Sequence, residues 1–354
     1  MIKFLHTRGL CTGKLVFALW LLLWSNRVKS QDINFTQFFT NPLILNPAQT
    51  GYFDGNYRAG FNFKGQWPFA ITGSPYNYHT EAPYIDFSFG EQKIKSGWMG
   101  IGINFLNDEA GDGTLTYRRI SLSYAYHQAF DKEHRYTLSA GVQGSYVLRS
   151  VNFSKFYFND QWVQDQGFDL SLNPMEPVLR ESFGYFDLAA GIYLGAQVLN
   201  KLKLEAGFSM LHMNRPGDGF YNDYQRLGFR YQPTAGAHYD ATARIGLDLN
   251  AYYGYEKTAS QFVFGSMVSY GFNEHKNALP DNRMYIGIYY RVQDAIAPLI
   301  GYELKKARLL LSYDVTVSKL LPSAKANGGP EVSFEYVGNW SRNSNSKKLY
   351  CPKF

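Results

Sequence analysis

The sequence predicts an all-β protein, a transmembrane antiparallel β-barrel of about 14 strands, and three observations carry that prediction. Segment after segment alternates apolar and polar residues with a period of two, the segments are long enough to cross a bilayer, and they follow an export signal. In residues 244–255 the odd positions are Ile245, Leu247, Leu249, Ala251, Tyr253 and Tyr255, with Arg244, Gly246, Asp248 and Asn250 between them. Successive strand side chains point to opposite faces, so one face is greasy and aromatic-tipped and the other polar. Leu309, Leu311, Tyr313, Val315 and Val317 repeat this against Ser312, Asp314, Thr316 and Ser318, as do Leu138, Ala140, Val142 and Tyr146 against Thr137, Ser139 and Gln143. Alternation alone also suits a soluble sandwich; the number of segments, their length and their aromatic ends favour the barrel.

Residues 1–30 read as a secretory signal peptide. Lys3, Arg8 and Lys14 precede an apolar run at 15–24, and a polar stretch ends in Val28, Lys29 and Ser30, after which cleavage is expected. The run is too short to span comfortably as a helix, and Cys11 precedes it, which does not suit a lipoprotein acceptor. Five of the 35 Lys and Arg and none of the 29 Asp and Glu lie in this signal, so the formal charge of +6 mostly leaves with it. The remaining chain is close to neutral, which argues for neither nucleic acid nor an acidic substrate. Cys351 is then the sole thiol, and an intrachain disulfide is excluded.

Residues 31–56 form the N-terminal periplasmic or plug segment. Asn41-Pro42 and Asn46-Pro47 bracket Leu43, Ile44 and Leu45. Asn-Pro favours turns and excludes a continuous strand, yet Phe35, Phe38, Phe39 and the Leu/Ile group are too apolar for a free tail. The segment is expected to fold against the periplasmic mouth or into the lumen and to present a fixed surface to a partner.

Residues 57–340 form the barrel, with no linker or composition break inside it. Strands are expected to begin near Tyr57, Tyr84, Trp98, Leu115, Arg135, Tyr185, Leu202, Arg230, Thr242, Gln261, Asn282, Ile296, Arg308 and Val332. If the first strand rises from the periplasm, the connections at 129–134, 198–201, 239–241 and 305–307 are short on the periplasmic side. The longest, at 65–83, 150–184, 213–229 and 319–331, fall on the other, the usual asymmetry of outer-membrane barrels. Tyr117 and Ile120 break parity across Arg118 and Arg119, which reads as a bulge or a misdrawn strand end. The 28 Tyr and 27 Phe suit interfacial girdles. Residues 341–354 are a periplasmic C-terminal tail.

No enzymatic chemistry is expected. His79, His127, His134, His212, His238 and His275 show no metal-ligand spacing, no Ser/His pair stands out, and neither cofactor nor metal is implied. Asp187, Lys203, Glu205, Arg244, Asp248, Arg291, Asp314, Glu331 and Glu335 fall on the polar parity with both signs mixed, which favours an interior zipped by ion pairs. Fourteen strands are too few for the wide bore of a general porin.

Asp32, Gln37-Phe38, Asn41-Pro42, Asn46-Pro47-Ala48 and Gly51 resemble the opening signature of the PorP/SprF family of the Bacteroidota type IX secretion and gliding motility systems. The resemblance continues through 108–111, 139–144, 158–161 and 311–314 to Asn327-Gly328-Gly329 and the terminal Cys351-Pro352-Lys353-Phe354. Ile33 and Pro330 depart from the family pattern. The resemblance implies an outer-membrane protein supporting export and surface anchoring of a partner adhesin through its C-terminal domain, or linking the membrane to the secretion ring and peptidoglycan-linked proteins. The residues expected to meet that partner are Asp32, Gln37, Phe38, Asn41, Pro42, Asn46, Pro47, Gly51, Cys351 and Pro352. Outer-membrane lipid is the other partner, and nucleic acid is not one. The alternative is a narrow outer-membrane channel or hydrophobic-solute transporter.

Overall fold

The computed structural model describes residues 35–66, 78–90, 96–111, 114–131, 133–153, 156–169, 171–172, 180–220, 225–257, 259–272, 282–318 and 327–340. The expected signal at 1–30, Asp32 and the tail at 341–354, with Cys351 and Pro352, lie outside them.

Fourteen antiparallel strands close on themselves. They are β1 (Tyr57–Gln66), β2 (Tyr78–Phe89), β3 (Gly97–Ala110), β4 (Leu115–Ala129), β5 (Tyr136–Ser150), β6 (Ser182–Leu199) and β7 (Leu202–Leu211). The second half runs β8 (Arg230–Asp240), β9 (Ile245–Glu256), β10 (Ala259–Gly271), β11 (Asn282–Arg291), β12 (Ala295–Leu304), β13 (Ala307–Thr316) and β14 (Asn327–Gly338). Each strand pairs with its sequence neighbours, and β1 meets β14 from Tyr57↔Gly338 to Lys64↔Glu331, so no edge is left open. The shortest strand has 10 residues and the longest 18, sufficient to cross a hydrocarbon core on a tilt.

The sequence alternation becomes the two faces of this wall. Along β5, Thr137, Ser139, Gln143 and Ser145 are buried toward the lumen, whereas Leu138, Val142 and Tyr146 are exposed on the outside. Water on both sides would make such an outer surface of Leu122, Val142, Ile286 and Ile300 a large exposed apolar patch; acyl chains make it a solvated one. Phe130, Tyr136, Tyr239, Tyr270, Tyr302 and Trp340 are exposed around one end of the cylinder, and Tyr146, Phe186, Tyr253, Tyr255, Phe262 and Phe264 toward the other, two aromatic girdles. The longest connections, at 151–181 and 212–229, leave from the second end, while 200–201 and 305–306 turn tightly at the first. The interval 272–281 is a long exception on the short-turn side.

Three details differ from the sequence reading. β2 begins at Tyr78 rather than Tyr84, and β14 at Asn327 rather than Val332, because Pro83 and Pro330 lie inside strands instead of ending loops. Proline removes one ladder donor, and the wall absorbs the loss on one side at a time. The β2–β3 register skips Ala82 and Pro83, β8–β9 skips Gln232 and Pro233, and β12–β13 skips Ala297 and Pro298, while the opposite ladder of each strand runs unbroken. Second, β4 has no bulge at Arg118: its register with both neighbours is continuous, and Tyr117 turns inward with Arg119 to pack by Phe35, Ala82 and Leu106. Third, Arg244 lies exposed in the turn before β9 rather than on the inner wall.

Candidate functional site

The lumen is occupied by the chain's own N-terminal segment. Two Asn-Pro pairs shape it: Asn41 and Asn46 each precede a proline at the first position of a short helical turn, α1 at Pro42–Leu45 and a 3-10 turn at Pro47–Gln49. Proline there loses no hydrogen bond, because that N–H would be unpaired anyway. The Asn46 side chain accepts the N–H of Ala48, and its own N–H returns to Pro42 O. A preceding 3-10 turn, Phe38–Thr40, completes a compact thread with its side chains buried.

At the long-loop end, Glu331 on β14 accepts the backbone N–H groups of Thr36 and Gln37 at 2.9 and 2.7 Å. Thr36 Oγ1 donates to Asp314 at 2.8 Å and accepts from Arg291, which also binds Asp314 at 2.9 Å. Lys64 Nζ lies 2.9 Å from Asp314 and 3.6 Å from Glu331. Lys64 and Arg291 thus face the buried carboxylates of Asp314 and Glu331, and Arg291 also binds the partly exposed Asp294 at 2.5 Å, so each buried ion is paired, the condition under which buried ions are tolerated. Gln37 is satisfied on both sides, donating to Ser312 Oγ and accepting from Ser333 Oγ.

Midway, Phe38 and Phe39 pack on Tyr252 and Tyr289, and the backbone oxygens of Leu43 and Leu45 accept from Gln143 and Ser209. Asn41 and Asn46 donate to the wall carbonyls of Ala82 and Ile192. At the short-turn end, Asp86 accepts the Gly51 N–H at 2.7 Å and pairs with Arg58 at 2.7 Å. Trp98 Nε1 donates to Gly51 O. His127 Nε2 lies 2.8 Å from Thr50 O, and since a carbonyl only accepts, that nitrogen carries the proton and Nδ1 accepts from Ser139. Tyr52 closes this end against Thr137.

Wall glycines make room for the thread. A Cβ on Gly100 would stand 1.9 Å from Thr50 O, and one on Gly141 would stand 2.4 Å from Pro47 O. The glycines at 139–144 that carried part of the family resemblance therefore include a position cut back to admit the plug.

Of the expected partner residues, Gln37, Phe38, Asn41, Pro42, Asn46, Pro47 and Gly51 converge here, all buried, and what they touch is the barrel's own wall. Arg58, Asp86, Trp98 and His127 were not singled out from the sequence; inward parity is the sole local signal they carry. Among the described residues no group of three or more His, Cys, Asp or Glu side chains gathers to hold a metal ion.

A family model, "Type IX secretion system membrane protein PorP/SprF", matches residues 27–336, nearly all of the wall and the whole plug. The chain belongs to the PorP/SprF family. Comparison with curated proteins finds no match. Among solved structures this PorP/SprF chain is similar to the TodX monoaromatic hydrocarbon channel, ΔS2 mutant, with a TM-score of 0.53 and 10% identity over 85% of this chain and 94% of that one. It also matches the Ralstonia pickettii toluene transporter TbuX (TM-score 0.49, 10% identity, 84% and 93% covered) and a Pseudomonas aeruginosa FadL homologue (0.45, 9%, 84% and 94%). At such identity the likeness to TodX shows a shared outer-membrane barrel fold and nothing of what the PorP/SprF chain binds.

Proposed function

We propose that this chain is a non-enzymatic outer-membrane component of type IX secretion. In this role it supports the export and surface anchoring of a partner adhesin, or couples the membrane to the periplasmic ring and peptidoglycan-linked proteins. Family membership supports the secretion role. The observation that carries the choice of a docking component over a conduit is the plug: its backbone and side chains are bonded to β1, β2, β4, β5, β7, β13 and β14, and a lumen filled in this way leaves no wide aqueous path. In this reading the buried plug residues serve a partner indirectly, by holding the barrel in one shape, and a partner meets the loops, turns and chain ends at the two mouths.

Affinity purification from native membranes, followed by mass spectrometry, tests the role. Ring proteins or one large secreted adhesin should co-purify with the intact chain. Removing residues 32–49 should leave a heat-modifiable barrel but lose that partner. Large, steady currents from the isolated intact protein in a planar bilayer would instead favour a channel or solute transporter.

A further inference from the structure

The plug has a direction, and it is the reverse of the one that a periplasmic N-terminus would give. Its first described residues are bonded at the long-loop end. Thr36 and Gln37 meet Arg291, the last residue of β11, Asp314, two residues from the end of β13, and Glu331, near the start of β14. Its last residues are bonded at the opposite end. Tyr52 meets Thr137, the second residue of β5, and Gly51 meets Trp98, the second residue of β3. Between these, Thr40 lies by Asn62 and Tyr84, and Leu43 by Gln143, both at middle heights. The chain then passes through residues 53–56 into β1 at Tyr57, which pairs with Gly338 at the short-turn end.

We infer that the plug enters the lumen through the long-loop mouth, so that Phe35 and Thr36 stand on the cell-surface side of the barrel. The plug descends through the whole wall before the first strand begins. That path also fixes an order of assembly. A plug whose first described residues lie at one mouth, continuous with a strand starting at the other, cannot be drawn in through a finished cylinder past Gly100 and Gly141, which lie against its backbone. The wall must close around the plug, and the β1–β14 seam is where consecutive sequence offers a closing step.

Which mouth faces outward rests on the outer-membrane reading above; the direction of the plug does not. Two experiments on the full chain separate these. A short epitope inserted between Asn34 and Phe35 is compared on intact cells with the same epitope after Asp165, in the longest loop, and between Lys305 and Lys306, in a short turn. The first two should bind a membrane-impermeant antibody at least tenfold better than the third. An N-terminal epitope hidden like that at Lys305 overturns the inference, and an exchange of the two control epitopes overturns the membrane orientation alone. Independently, in a Cys351→Ser background, Gln37→Cys with Ser312→Cys and Tyr52→Cys with Thr137→Cys should each cross-link. Cross-linking instead of Gln37→Cys with Thr137→Cys would reverse the plug and sink the proposal.

Discussion

Glu331 accepts the backbone N–H of Gln37 at 2.7 Å across 294 residues of sequence, joining the last strand of the barrel to the start of its plug. Its other oxygen takes the N–H of Thr36, and Lys64 lies 3.6 Å away. Glu331→Ala removes both acceptors, leaves two buried N–H groups without partners and takes one of its two carboxylates from the buried Lys64. The expected loss is roughly 3–5 kcal/mol, the usual penalty for breaking a buried pair, read as a lower urea midpoint for the heat-modifiable band. Glu331→Gln should fall between, since its amide oxygen still accepts while its NH2 confronts a second donor. A midpoint unchanged in Glu331→Ala would mean that the plug is not bound there.

Gly100 and Gly141 should be intolerant of a single methyl group for a reason unrelated to backbone freedom. Their Cβ atoms would stand 1.9 Å and 2.4 Å from plug carbonyl oxygens, whereas the nearest atom to a Cβ on Gly144, in the same strand as Gly141, is 4.0 Å away. Gly100→Ala and Gly141→Ala should leave the barrel assembled and lift the plug locally from the wall, giving a lower urea midpoint and faster proteolysis ahead of Tyr57. Gly144→Ala should match the parent in both measurements.

The lipid-facing assignment is checked by depth. Leu122 is 59% exposed at mid-height on β4, and Leu138 lies two residues from the short-turn end of β5. Leu122→Arg should cost about 2–4 kcal/mol of folding free energy in vesicles and Leu138→Arg about 0–1 kcal/mol, because the penalty for a cation falls from the bilayer midplane to its interface. Equal penalties at the two sites would point to a covering protein layer instead of acyl chains.

Much of this architecture was legible because a period of two is a local property. Strand starts at Tyr57, Leu115, Leu202, Arg230 and Asn282 coincide with those expected, and neighbouring inward and outward residues such as Leu311 and Ser312 declare their faces without any tertiary knowledge. Prolines misled the reading at Pro83 and Pro330, since a strand with two neighbours can surrender one ladder at a time, which no single-strand rule contains. The plug was legible only as an apolar segment that had to be covered. Asn41-Pro42 and Asn46-Pro47 announce its turns, but its partners, from Asp86 to Glu331, lie on strands distributed round the cylinder. Their meeting depends on closure, a property of all fourteen strands together. The direction of the thread was hidden for the same reason.

The two ends of the plug should act jointly on permeability even though they act separately on stability. Glu331 at one mouth and Asp86 at the other share no partner, and sites so separated ordinarily contribute additively to folding free energy. Blocking a lumen follows a different rule: a thread released at one end but held at the other still occupies most of the bore. Glu331→Ala or Asp86→Asn alone should therefore raise planar-bilayer conductance little, while the double variant should raise it well beyond the product of the two single effects, with urea midpoints that remain close to additive. Full opening by either single substitution would mean that one clamp alone holds the plug and that the packing of Phe38, Phe39 and Leu43 between them contributes little to its retention.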